Sequence, residues 1–112
     1  LARRHGVHTT TAVTRRVGSA QEAAAKMAEL RRHPPASLAG FGVTVTDLEP
    51  RTDALVFAGG EDQASVRVVV RPSGTEPKLK CYIEIRCGGE LEPARKRAAA
   101  LEQEVAEMVA AW

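Results

Sequence analysis

Val66-Arg67-Val68-Val69-Val70-Arg71-Pro72-Ser73-Gly74-Thr75-Glu76-Pro77-Lys78-Leu79-Lys80-Cys81 is the stretch that decides how this chain folds. The valine-rich lead-in reads as a strand. So does the exit, where Leu79, Cys81, Ile83, Ile85 and Cys87 alternate with Lys80, Tyr82, Glu84 and Arg86. Between the two strands lies a short loop with two hydroxyls, one glycine and the cations Arg71, Lys78 and Lys80 at its margins. A turn held by two rigid strands can aim consecutive N–H groups at one anion, and glycine supplies the positive φ that lets the chain curl around it. Arg71 adds a planar two-pronged donor, and Ser73 and Thr75 add hydroxyl donors. Lys80 alternates out of phase with the apolar residues, so it faces away from the core.

Upstream, the β-branched residues between Thr9 and Val17 predict a first strand. Ser19 and Glu22 have the spacing of a capping box before an alanine-rich helix carrying Met27 and Leu30, which His33-Pro34-Pro35 ends. Phe41, Val43 and Val45 alternate with Gly42, Thr44 and Thr46, a half-buried strand. Residues 50–53 turn the chain into a short strand at Leu55-Val56-Phe57, and Gly59-Gly60-Glu61-Asp62 reads as the next turn. A final helix from about Glu92, with Pro93 in its first turn, places Leu91, Ala94, Ala98, Leu101, Val105, Met108 and Trp112 on one side. The order β-α-β-β-β-β-α predicts an α+β domain: an antiparallel-rich sheet with two helices on one face.

With 112 residues, the chain is long enough to bury a core without metal or disulfide staples. Its formal net charge of +2 gives no electrostatic case for nucleic acid or for a membrane surface. One Trp, one Tyr and two Phe are too few for the stacking platforms of single-strand readers. No segment approaches the roughly 18 apolar residues of a membrane span. Cys81 and Cys87, on one strand and about 20 Å apart, cannot pair with each other and read as buried apolar thiols, in keeping with a cytoplasmic protein. His5, His8 and His33 share no metal-ligand spacing. The start Leu1-Ala2-Arg3-Arg4-His5-Gly6 resembles the end of a helix, so residues 1–6 read as the end of a preceding domain or a linker, and 7–112 as the domain itself.

The run Arg71-Pro72-Ser73-Gly74-Thr75-Glu76-Pro77, followed by Lys78-Leu79-Lys80, resembles the C-terminal phosphate-binding loop of the α-D-phosphohexomutases, the phosphoglucomutase and phosphomannomutase superfamily. The continuation to Cys81-Tyr82, with Pro34-Pro35 and Leu38-Ala39-Gly40 upstream, is most similar to the bacterial branch of phosphomannomutases, glucose-type mutases and phosphopentomutases. The resemblance implies the last of four domains, similar in fold to TATA-box-binding protein. It implies that Arg71, Ser73, Gly74, Thr75 and Lys80 hold the non-reacting phosphate of a sugar substrate, with Pro72, Glu76 and Pro77 as loop scaffold. It further implies that the catalytic phosphoserine and a Mg2+ ion belong to other domains of a longer enzyme. The Thr-Ala-Ser-His-like, Asp-Gly-Asp-x-Asp and Gly-Glu-x-Ser-Gly loops of that chemistry are not in this sequence. No residue here is therefore assigned as catalytic or as a metal ligand, and the 112 residues alone are expected to be inactive. The expected partners are a phosphorylated sugar and the upstream domains, with neither nucleic acid nor membrane. Two further readings stay open: a free-standing anion-binding regulatory module, and a parent acting on pentose or glucosamine phosphates.

Overall fold

A computed structural model describes residues 6–49, 51–73 and 76–112. The chain runs β1 (Val7–Arg16), α1 (Ala20–Arg32), β2 (Ser37–Leu38), β3 (Phe41–Asp47), β4 (Leu55–Glu61), β5 (Ala64–Pro72), β6 (Lys78–Cys87) and α2 (Leu91–Ala110). The six strands form one sheet in the order β1-β6-β5-β4-β3-β2, and every neighbouring pair is antiparallel. β3 to β6 is a meander. β1, first in sequence, closes the sheet beside β6, so α1 must carry the chain from one edge of the sheet to the other. The predicted α+β architecture, with an antiparallel sheet and two helices, is what the chain forms.

The start of α1 follows from local chemistry. The Ser19 Oγ accepts the N–H of Glu22 at 3.1 Å, satisfying one of the orphan donors of the first turn. The Glu22 carboxylate reaches back one residue further than in a standard capping box and accepts the N–H of Gly18 at 3.0 Å. Ala23, Met27 and Leu30, spaced by four and three residues, form the buried face of the helix, and His33 caps it just before the two prolines. At the other helix, no basic residue stands in the last turn of α2; Arg15 of β1 supplies the charge, donating to the Ala110 carbonyl at 2.8 Å.

One face of the sheet is dry and the other is bare. Leu55, Phe57, Val66, Val68, Val70, Leu79, Cys81, Ile83, Ile85 and Cys87 are all buried under the helices. Among the described residues no polar or charged residue is fully buried. Trp112, past the end of α2, tilts against Phe57 with ring centroids 5.4 Å apart. Burial pushes the Cys81 thiol up to about 12, so it stays protonated and inert.

Three details differ from the sequence reading. β2 was not expected: the two-residue turn Ala39-Gly40, with φ of 50° and 85°, folds Leu38 back onto Phe41, and Leu38 is fully buried. β4 does not stop before Gly59-Gly60 but continues to Glu61, and Asp62-Gln63 makes the turn. Leu91 is 44% exposed because the first residue of α2 lies ahead of the helix's contact with the sheet, while Val109 joins the core in its place.

Gly59 lets β3 and β4 meet. A Cβ there would collide with the Gly42 carbonyl oxygen across the strand pair, whereas a Cβ on Gly42 would meet nothing within 4 Å. In urea unfolding of the 112-residue chain, Gly59→Ala is therefore expected to cost about 1–3 kcal/mol. Gly42→Ala should stay within about 0.5 kcal/mol of the wild type. Equal effects of the two would mean that the strands do not approach as described.

Candidate functional site

Antiparallel pairing puts Arg71 of β5 directly opposite Lys80 of β6, and Lys80 directly opposite Thr14 of β1. All three belong to the bare face, because their neighbours Val70, Leu79, Cys81 and Val13 point to the helices. Arg71 is exposed and Lys80 half-buried. The two cations therefore stand side by side at the end of the hairpin, facing solvent, with about 4.5–5.5 Å expected between paired Cα atoms.

The hairpin is closed by backbone bonds. Beyond the last pair, Pro72 opposite Leu79, the Ser73 N–H donates to the Lys78 carbonyl at 2.9 Å and the Lys78 N–H to the Glu76 carbonyl at 2.8 Å. The Ser73 hydroxyl accepts a long bond of 3.4 Å from the Glu76 N–H. Pro77 anchors the loop from outside, its carbonyl accepting the Val17 N–H at 2.9 Å, so the loop is tied to the segment that leads from β1 into α1. Gly74 and Thr75, both expected to contact phosphate, lie outside the described residues.

Arg71, Pro72 and Ser73 also form one wall of a cleft of about 450 Å3, completed by Ala20, Ala23 and Ala24 of α1 and by Thr52 and Asp53. Arg31 holds that last wall in place. Its guanidinium bonds Asp47 at 3.0 Å and Asp53 at 2.5 Å and approaches Glu49 at 3.6 Å, linking the end of α1 to the turn after β3. The Asp53 hydrogen bond, followed by its Asp47 counterpart, outweighs partial desolvation and raises the Arg31 pKa above its ordinary value. A cleft of similar size, about 400 Å3, sits at the opposite end of the sheet around Val7, Gln63 and Cys87 and contains no residue of the hairpin loop. Among the described residues no group of His, Cys, Asp and Glu is placed to hold a metal ion.

Two residues behave differently from the sequence reading. Glu76, expected to be part of the loop scaffold, directs its carboxylate to the Lys78 ammonium at 3.1 Å. His8, which shares no sequence spacing with a carboxylate, lies 3.6 Å from Glu84 on the neighbouring strand, and Glu84 also meets Arg67 at 3.4 Å. Glu76 and Lys78 are near neighbours in sequence, whereas the linear order of residues carries no trace of the two contacts of Glu84, which depend on strand register. Arg31 was missed for the same reason: its carboxylates lie 16 to 22 residues away.

The hydrogen bond from Lys78, then its charge, then the charges of Arg16 and Lys80 hold the Glu76 carboxyl below the ordinary carboxylate range. With a folded-state pKa below the unfolded one, the pairing contributes to stability above about pH 4.3 and is lost as pH falls through the lowered value. In carboxyl-detected NMR, Glu76 is expected to titrate below about 4.3, and Lys78→Met to return it toward that value. A normal titration in the wild type would show that the pair does not form.

The chain matches the family model described as the phosphoglucomutase/phosphomannomutase C-terminal domain over residues 16–110. It is also 35% identical over 88 residues to a probable phosphomannomutase of Haemophilus influenzae, an alignment covering 72% of this chain and 17% of that relative. The chain thus spans less than a fifth of the relative's length. The matched region takes in both strands of the hairpin, its loop and both helices, and the chain belongs to the phosphoglucomutase/phosphomannomutase family, whose C-terminal domain it contains.

Proposed function

We propose that this domain grips the non-reacting phosphate of a sugar phosphate in a longer mutase that moves a phosphoryl group between the 1 and 6 positions of a hexose. The observation that carries the reading is the cross-strand pair of Arg71 and Lys80 on the uncovered sheet face, at the mouth of the family's loop sequence. Ser73 lines the cleft beside Arg71, and Gly74 and Thr75 complete the set in sequence.

In this role the domain supplies orientation. Binding energy from the distal phosphate is available to close the enzyme on its substrate and to fix the hydroxyl that reacts. The described residues form no group that could hold a metal ion, so no step through magnesium is assigned to them; in this reading the ion and the phosphoserine are supplied by the rest of the parent enzyme. Phosphate is common to all candidate substrates, so the loop leaves sugar identity to other parts of the parent. A cytoplasmic setting agrees with the phosphorylated substrate, and no described helix is long and apolar enough to cross a membrane.

In the full-length parent, Arg71→Ala is expected to remove charge-assisted hydrogen bonds worth roughly 1.5–3 kcal/mol, which is about ten- to a hundredfold in kcat/KM. The loss should be similar for mannose, glucose, glucosamine and pentose phosphates, with normal phosphoserine content by mass spectrometry. Lys80→Ala should have a smaller effect, because an ammonium lacks the planar fork. Unchanged kinetics for every sugar would show that Arg71 is a solvated strand end; a loss confined to one sugar would show that the loop reads the sugar.

The second expected outcome concerns the 112 residues alone, which should bind phosphate and show no interconversion of sugar phosphates. Turnover by the purified chain in a coupled assay would contradict the division of labour proposed here. Absence of phosphate binding with intact fold would instead favour a domain without a direct role in substrate capture.

A further inference from the structure

We propose that Arg16, the last residue of β1, is a third cation of the phosphate site and contacts the same anion as Arg71 and Lys80. This inference rests on the function proposed above and extends it to a residue outside the hairpin.

The fold brings Arg16 there. β1 lies directly beside β6, with Arg16 opposite Lys78 and Thr14 opposite Lys80. Arg16 therefore shares the bare face with Lys80 and Arg71, two residues further toward the loop than the row they form with Thr14. With strands about 4.8 Å apart and about 3.3 Å per residue, its Cα lies about 8 Å from that of Lys80 and about 12 Å from that of Arg71. Long cationic side chains at those separations can converge on one phosphate. The bond from the Val17 N–H to the Pro77 carbonyl, one residue beyond Arg16, fastens this end of β1 to the loop itself.

The charge balance favours the same role. Lys78 is committed to Glu76 at 3.1 Å. Among the described residues no carboxylate lies within 4.0 Å of the cationic groups of Arg16, Arg71 or Lys80, as is also true of Arg15, Lys26, Arg51, Arg86 and Lys96, whereas Arg31, Arg32, Arg67, Arg95 and Arg97 each have at least one. Three cations left unpaired at one end of one sheet face repel one another, a repulsion that a bound dianion would offset. Arg16 also acts on the Glu76 carboxylate, the negative charge that would otherwise oppose an incoming phosphate. Thr14 between Arg16 and Ala12 is small, so nothing bulky on β1 blocks the approach to Lys80.

The test is a titration of the 112-residue chain with inorganic phosphate at fixed ionic strength, followed by NMR of backbone amides and of arginine Nε–Hε groups. Wild type is expected to show saturable shifts at Arg71 and Lys80 together with movement of the Arg16 Nε–Hε signal. Arg16→Ala should weaken phosphate binding about tenfold, as expected for the loss of one exposed charge-assisted contact, and Arg16→Lys should restore part of it. Because Arg16 is exposed, the variants should keep the dispersed spectrum of the folded chain. If Arg16→Ala binds as well as wild type while Arg71→Ala loses binding, Arg16 is not part of the site and the proposed function stands. A weaker Arg16→Ala whose wild-type Nε–Hε signal never moves would overturn direct contact in favour of loop support. If wild type shows no saturable shift at all, the inference and the phosphate reading of the hairpin fall together.

Discussion

The pairing register of β5 with β6 is the constraint on which the rest of the structure depends. Val66, Val68 and Val70 must face the helices, and so must Leu79, Cys81, Ile83 and Ile85. A slip of one residue would send each strand's apolar set into solvent, at about 1.5–3 kcal/mol per large side chain. Once that register is fixed, Arg71 and Lys80 have no choice but to stand opposite each other on the uncovered face. The position of the cations is thus a by-product of core packing, and it is held as firmly as the core is. The loop between them is then trimmed by short backbone bonds at Ser73, Glu76 and Lys78.

The same register organises the elements around the site. β1 follows β6 along its full length, from Val7 opposite Cys87 to Arg16 opposite Lys78, so its last residues arrive beside the loop. α1 starts immediately after, and its first turns wall the cleft next to Arg71 and Ser73. α2 runs back from the far end of β6 and finishes near Arg15. Segments remote in sequence therefore gather at one end of the sheet: the end of β1, the start of α1, the hairpin loop and the turn that Arg31 holds.

Much of this was legible in the sequence where the signals are local. Ser19 and Glu22 mark a helix start because capping is a contact between near neighbours, and Pro34-Pro35 mark its end because they cannot continue the ladder. The alternation in β6 revealed its buried face and so the outward direction of Lys80. Where tertiary contact decides, the reading fell short. Gly59-Gly60 looks like a turn, yet here glycine serves the close approach of β4 to the Gly42 carbonyl. The two-residue strand β2 is too short to leave a pattern, and it exists because Leu38 is buried behind the Ala39-Gly40 turn. Arg71 and Lys80 stand out in the sequence through their motif, whereas the place of Arg16 beside the loop follows only from strand order and the contacts of Arg31 only from the packing of α1 on the turn after β3. No local pattern says that the first strand ends beside the last hairpin.

The most direct measurement is a crystal structure of the full-length parent with a hexose phosphate bound. The non-reacting phosphate is expected within hydrogen-bonding distance of the Arg71 guanidinium and the Lys80 ammonium, with the Ser73 hydroxyl and the loop N–H groups turned toward it. A substrate whose phosphate is held entirely by other domains, with the hairpin of β5 and β6 left in solvent, would contradict the central claim.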